Sequence, residues 1–345
     1  LAKAFASKAA GDKLDLGGLT YLVDPPAEWL QIFNDAWRWY RDFFYDPAMH
    51  GQDWKAVGDR YRERIRYLTS RGQLNWLLLQ MVGGLCVSHT YVSGGDFGPT
   101  AQTPAQAQLF TGLLGADLEP DFKAGYYRIT AVYGPNDINR GLRGPLVRPD
   151  IEVKADDYLI AVNGREVHPP EDYYRLLQVT PGAKVSVTVS SKPSPAGART
   201  YEVEPVRSDA QLRYFNWLNK NIQKVLKAGE GRVGYMHINA MGSGGVGEFD
   251  KFWRAFRYKE GIILDLRRNS GGWTEYFLID KLERQMVAFN NLKGMEPFCY
   301  PGSAGNGNYV VISNENNGSD GEAFVEHFKA RRLGTVVGVP SWGGL

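Results

Sequence analysis

The stretch Tyr309-Val-Val-Ile-Ser313, then Asn314-Glu-Asn-Asn-Gly-Ser319-Asp-Gly321, then Glu322-Ala-Phe-Val-Glu-His-Phe-Lys-Ala-Arg-Arg332 decides how this chain is read. A β-rich apolar run, a tight polar turn and an amphipathic run succeed one another. The order predicts a buried strand that enters a helix through Ser319. A hydroxyl at that point has two uses. It can be an ordinary N-cap, the commoner role for a serine in an isolated turn. It can also be a nucleophile, because the N–H groups of a first helical turn are unpaired and can hold an oxyanion formed beside it.

Strands and helices alternate on both sides of the core of this stretch. Residues 231–238 read as a strand, 246–256 as a helix, 261–266 as a strand, 274–282 as a helix, and 335–339 as a closing strand. Such alternation predicts parallel βαβ units with the functional loops at the carboxyl ends of the strands. A second loop of interest leaves one of those ends: Arg267-Arg268-Asn269-Ser270-Gly271-Gly272. Paired glycines let backbone N–H groups approach a ligand closely, although an ordinary strand-to-helix turn has the same composition. If the two loops are neighbours, an N–H of Gly271 or Gly272 and that of Asp320 converge on an oxyanion while Ser319 attacks a carbonyl carbon.

Upstream, residues 25–96 read as a small helical layer. It has helices over 28–44, about 54–67 and about 70–82, followed by Gly83-Gly84-Leu85-Cys86-Val87-Ser88-His89. The two glycines stop the third helix and put Ser88 and His89 on a turn, expected to face an interior crevice. A nucleophilic serine needs a base, and the chain has five histidines. His327 lies about 12 Å along the helix from Ser319 at about 1.5 Å per residue, too far to reach it. His237 falls within a strand and is expected to pack; His89, at the end of the helical layer, is the best candidate.

Residues 1–24 are expected to connect from an upstream region, and residues 97–108, rich in Gly, Pro, Ala, Gln and Thr, suit a linker. Residues 110–208 form a β-rich module in which Asn163-Gly164 marks a hairpin. A linking helix over 211–227 leads into the α/β core of residues 211–345. The order of elements in the module, and above all Tyr158-Leu-Ile-Ala-Val-Asn-Gly-Arg-Glu-Val167, resembles a PDZ domain. In that family a glycine-bearing loop holds a peptide C-terminus through backbone N–H groups. The matching loop here is Gly112-Leu113-Leu114-Gly115, with a plain hairpin loop as the alternative.

Composition narrows the class. The chain has 345 residues, of which 43% are hydrophobic, and 40 basic against 38 acidic residues leave a net charge of +2. That near-balance, without runs of one sign, predicts no nucleic-acid partner. The longest apolar runs fall short of a membrane span, so no insertion is expected. Cys86 and Cys299 form no C-x-x-C pair and read as structural thiols in apolar settings. No ligand spacing such as H-E-x-x-H occurs, so neither metal nor cofactor is expected. The match of Asn317-Gly318-Ser319 to the glycosylation pattern reads as chance. A start without Met and an end just after a strand suggest a fragment of a longer protein.

Four segments taken together resemble the carboxyl-terminal half of the tricorn and tail-specific serine peptidases. These are the helical layer ending in Ser88-His89, the PDZ-like module, Asp265 to Gly272, and Asn317 to Gly321 followed by residues 338–344. The resemblance implies an α/β multidomain protein with a ClpP/crotonase-like βαβ core. It implies a serine peptidase in which Ser319 is the nucleophile, His89 the general base, and Ser88 a partner of that histidine. Gly271 or its neighbour would supply the oxyanion N–H groups together with Asp320. The family's orienting glutamate would lie beyond Leu345. Peptide substrates produced by upstream proteolysis, a homo-oligomer and a cytoplasmic location are further implications; a periplasmic one follows if an upstream signal has been lost. The alternatives are a tail-specific processing protease of the cell envelope, a hydrolase of other acyl bonds, and a non-catalytic PDZ-type scaffold.

Overall fold

The computed structural model describes residues 22–96 and 109–345, so the strand expected before Asp24 and the linker over 97–108 lie outside the described residues. The chain forms two compact units, one on each side of residue 100.

The first unit is helical: α1 (Pro25–Phe43), α2 (Trp54–Arg62) and α3 (Arg71–Gly83). Each helix starts where a short polar side chain accepts a first-turn N–H. Asp24 takes that of Ala27, Asp53 that of Ala56 and Ser70 that of Gln73. The second helix is shorter than its apolar spacing suggests, because the chain tightens into a 3-10 turn at Ile65–Tyr67. Phe33, Leu74, Leu77 and Met81 are almost wholly buried. Each such side chain contributes about 1.5–3 kcal/mol of apolar burial. The indoles of Trp37 and Trp54 each donate to the other's carbonyl, at 2.8 and 3.0 Å, which locks α1 to α2.

The second unit opens with the β-rich module: β1 (Phe110–Thr111), β2 (Ala116–Asp121), β3 (Tyr126–Val132), β4 (Tyr158–Val162), β5 (Arg165–Glu166), β6 (Gln178–Val179), β7 (Val185–Ser190) and β8 (Arg199–Val203). Its main sheet runs β2-β3-β4-β7-β8, with β5 paired to β4 through the Asn163-Gly164 turn. Both turn residues have positive φ, at 52° and 73°, as a tight hairpin of this hand requires.

The long helix α4 (Ala210–Ala228) then enters the α/β core. This comprises β9 (Val233–His237), α5 (Ser243–Phe256), β10 (Gly261–Asp265), α6 (Glu275–Glu283), the hairpin β11 (Ala288–Asn290) and β12 (Phe298–Tyr300), β13 (Tyr309–Ser313), α7 (Asp320–Ala330) and β14 (Gly334–Gly338). The core sheet has the order β14-β13-β10-β9 and all its pairs are parallel. Adjacent β10 and β13 therefore deliver their following loops to the same edge. Arg213 on α4 ties the module to the core, donating to Asp209 and to Asp117 of β2. Among the described residues no helix is long and apolar enough to cross a membrane.

Candidate active site

The loop after β10 is built on Asn269, which is almost fully buried. Its side-chain amide donates to the Ile238 carbonyl at 2.8 Å, its amide oxygen accepts the Gly271 N–H at 2.7 Å, and its backbone carbonyl accepts the Gly318 N–H at 3.0 Å. The last of these bonds joins this loop to the turn after β13. At Gly271 (φ +80°) a Cβ would lie 2.5 Å from the Cβ of Ser319 and 3.0 Å from its Oγ. At Gly272 (φ +154°) a Cβ would lie 1.8 Å from the Met241 carbonyl oxygen. Glycine is thus required twice, and the loop backbone lies directly against the serine.

Ser319 itself has φ 54° and ψ −127°. It is the N-cap of α7 and forms a capping box with Glu322, but an N-cap residue ordinarily sits in the β region, which this one does not. The left-handed backbone is a strain that surrounding contacts must sustain. Several do. Asn317, fully buried, donates its side-chain amide to Ser313 Oγ at 3.1 Å and to the Gly321 carbonyl at 3.0 Å. The carbonyl of Asn317 accepts the Trp342 N–H at 3.0 Å, and the Trp342 ring lies over Gly318. Burial at this depth also leaves no room for a glycan on Asn317.

Glu322, one turn into α7, is a hub that sequence reasoning passed over. Its carboxylate accepts the Ser319 N–H at 2.9 Å, the Ser341 hydroxyl at 2.8 Å, and the N–H groups of Gly343 and Gly344 at 2.5 and 3.1 Å. Burial alone would raise its carboxyl, but these bonds, that from Ser341 foremost, hold it below the ordinary glutamate value. The spacing Ser-x-x-Glu was the available signal.

The Asp320 carboxylate accepts the N–H groups of Thr274 and Glu275 at 2.7 and 3.1 Å. It therefore ties the start of α7 to the start of α6, the two helices that follow the two loops. Burial, and then the adjacent Asp320 carboxylate, push Glu275 above the ordinary glutamate value, and His327 stands 3.0 Å from its other side. The expected oxyanion donors are not equivalent. The N–H of Gly271 is committed to Asn269, whereas those of Gly272 and Asp320 have no hydrogen-bond partner among the described residues.

His89 is in the helical unit. Leu85 is buried after the end of α3, and its carbonyl meets Nδ1 of His50 at 2.9 Å, which anchors the segment leading to His89. Ser88 Oγ stands 3.1 Å from His89 Nδ1, so these two predicted residues do come together. Both are exposed, because the chain leaves the helix in an open turn with Cys86 and His89 at positive φ, and Ser88 lines an open groove with Trp39 and Tyr40. Cys86 is exposed too, contrary to its apolar reading, while Cys299 is buried. His237 packs as expected, 2.8 Å from the Arg267 carbonyl and 3.1 Å from the Tyr214 hydroxyl, and burial lowers its pKa.

The expected carboxylate-binding loop of the PDZ-like module has two of its four N–H donors occupied. The N–H of Gly112 donates to Leu177 at 2.7 Å and that of Leu113 to Val206 at 2.8 Å. Leu114 is buried in the module's core, and the Gly115 carbonyl accepts from Tyr133. The N–H groups of Leu114 and Gly115, adjacent in that loop, have no hydrogen-bond partner among the described residues.

Comparison with known proteins agrees with this geometry. Residues 25–83 match the tricorn protease C1 domain, 112–208 the tricorn protease PDZ domain, and 232–345 peptidase family S41. The chain belongs to the tricorn protease family. Tricorn protease homolog 1 of Streptomyces coelicolor is 35% identical over 347 residues, covering 98% of this chain and 32% of that protein. Tricorn protease of Thermoplasma acidophilum is 28% identical over 92% of this chain and 29% of its own length. The crystal structure of the tricorn protease superposes with a TM-score of 0.81 at 26% identity, over 96% of this chain and 31% of that one. The chain thus spans about a third of the length of these tricorn relatives.

Proposed function

We propose that the protein is a serine peptidase that cleaves oligopeptides through an acyl-enzyme. Ser319 Oγ attacks the scissile carbonyl carbon, and His89 takes its proton and later gives it to the leaving amine. Ser88, beside Nδ1, is assigned to orient the imidazole so that Nε2 serves the reaction. The N–H groups of Gly272 and Asp320 are assigned to the oxyanion, with Gly271 shaping the approach. Water then hydrolyses the ester, with His89 again as base. Peptides released by other proteases are the proposed substrates, acted on by a cytoplasmic homo-oligomer.

The observation that carries this reading is the strained Ser319, at φ 54° against Gly271, its N–H held by Glu322 and its turn fixed by Asn269 and Asn317. The capping box with Glu322 serves the helix, but a cap needs neither the left-handed backbone nor the close approach of Gly271. Peptide turnover by the full-length protein tests the reading: Ser319→Ala and His89→Ala should each reduce kcat by about 10⁴-fold or more. Turnover unchanged in both variants would return Ser319 to the role of a helix cap.

A further inference from the structure

A cavity of about 650 Å³ opens beside the loop after β10, lined by Arg213, Tyr214, Trp217, His237, Arg268 and Asn314 among others. One wall is aromatic. Tyr214 and Trp217 stack at 6.1 Å between ring centroids, and Trp217 meets His237 edge-on at 4.9 Å. The other wall is cationic, and its guanidiniums are not equivalent. Arg213 is spent on Asp117 and Asp209, and Arg267 on Asp265. Arg268 has no carboxylate partner among the described residues; the nearby Glu315 is engaged with the Asn316 side chain.

The backbone of Arg268 is left-handed, at φ 64°, which is costly for a residue with a Cβ. Asn314 sustains it, accepting the Arg268 N–H on Oδ1 at 3.1 Å. Burial foremost, and after it the charges of Arg267 and Arg268, lower the pKa of His237 on the cavity wall. The next residue, Asn269, accepts the Gly318 N–H beside Ser319, so the arginine and the serine belong to one bonded pair of loops.

We propose that this cavity is a subsite for a peptide carboxylate, with Arg268 receiving the anion and Trp217 and Tyr214 the apolar part of the adjoining residue. A planar guanidinium with free donors matches a carboxylate in charge and shape. The inference rests on the peptidase reading for its substrate class, but its test reads binding and needs no turnover. A missing nucleophile and a missing subsite are therefore distinguishable.

The test is calorimetric titration of the full-length protein carrying Ser319→Ala with three hexapeptides. One ends in Phe as the free acid, one is its C-terminal amide, and one is an amide ending in Glu. At least one carboxylate-bearing peptide should bind about tenfold or more tightly than the Phe amide. Preference for the free acid identifies a chain end, and preference for the Glu amide an acidic side chain. Adding Arg268→Gln should erase the preference and Arg268→Lys should restore part of it, with the thermal midpoint unchanged because Arg268 is exposed. Equal affinity for all three peptides, or a preference that survives Arg268→Gln, would overturn the proposal.

Discussion

Two glycine-bearing loops in one compact unit have opposite fates. Gly112 to Gly115 and Gly271-Gly272 carry the same promise in sequence, backbone N–H groups freed by small residues. In the first, the donors of Gly112 and Leu113 are consumed by Leu177 and Val206, and Gly112 is needed because a Cβ would lie 2.3 Å from that of Pro205. In the second, Asn269 consumes only the Gly271 donor, and glycine is needed because the neighbour is Ser319. The tightness of the second loop is directed at a reactive group, whereas that of the first is directed at its own module and leaves the N–H groups of Leu114 and Gly115 unbonded.

The largest effect should follow from an added methyl at each loop. Gly271→Ala puts a Cβ into Ser319 and should lower kcat/KM about a hundredfold or more, since displacement of the order of an ångström suffices. Gly112→Ala should cost about 1–3 kcal/mol of stability by overpacking while leaving kcat of the folded fraction intact. Chemical denaturation alongside peptide kinetics would separate the two; a kinetic loss at Gly112 would break the comparison.

Removing the organiser comes next. Asn269→Ala strips the amide that holds Ile238 and Gly271, and about 1–3 kcal/mol of stability should go with the buried groups left unpaired. Catalysis should fall about tenfold in kcat with little change in KM, the split expected of lost positioning.

Smaller and pH-dependent effects should come from the two glutamates around Ser319. Glu322 is held below its ordinary value, so its contribution is present above about pH 4.5 and is lost as pH falls through the lowered folded value. Glu275 is raised, so the relation reverses: its contribution is complete below about pH 4.5 and is lost as pH rises through the raised folded value. Thermal midpoints measured across pH should therefore lose their acid-side slope in Glu322→Gln. In Glu275→Gln they should lose a slope of opposite sign, and parallel curves for both variants would contradict this assignment.

Much of this arrangement is legible from residues alone, and the reason is local. The alternation of strands and helices from Val233 to Gly338 follows from periodicity, and the carboxyl-end rule then puts Gly271 and Ser319 on one edge. Asn163-Gly164 states its hairpin through backbone preference. What escapes is settled by partners distant in sequence. Whether the Gly112 donor is free depends on Leu177, and whether the Gly271 donor is free depends on the rotamer of Asn269. The exposure of Ser88 and His89 likewise depends on how the chain leaves α3. Glu322 lay within reach through its Ser-x-x-Glu spacing, yet its capture of Ser341, Gly343 and Gly344 did not.

The central claim, that Ser319 is a nucleophile served by His89, is tested most directly by treating the full-length protein with a peptidyl chloromethyl ketone and mapping the modified peptides. The account predicts adducts on Ser319 and His89, both abolished by Ser319→Ala. A folded, full-length protein that reacts at neither residue, or at some other serine, would contradict it.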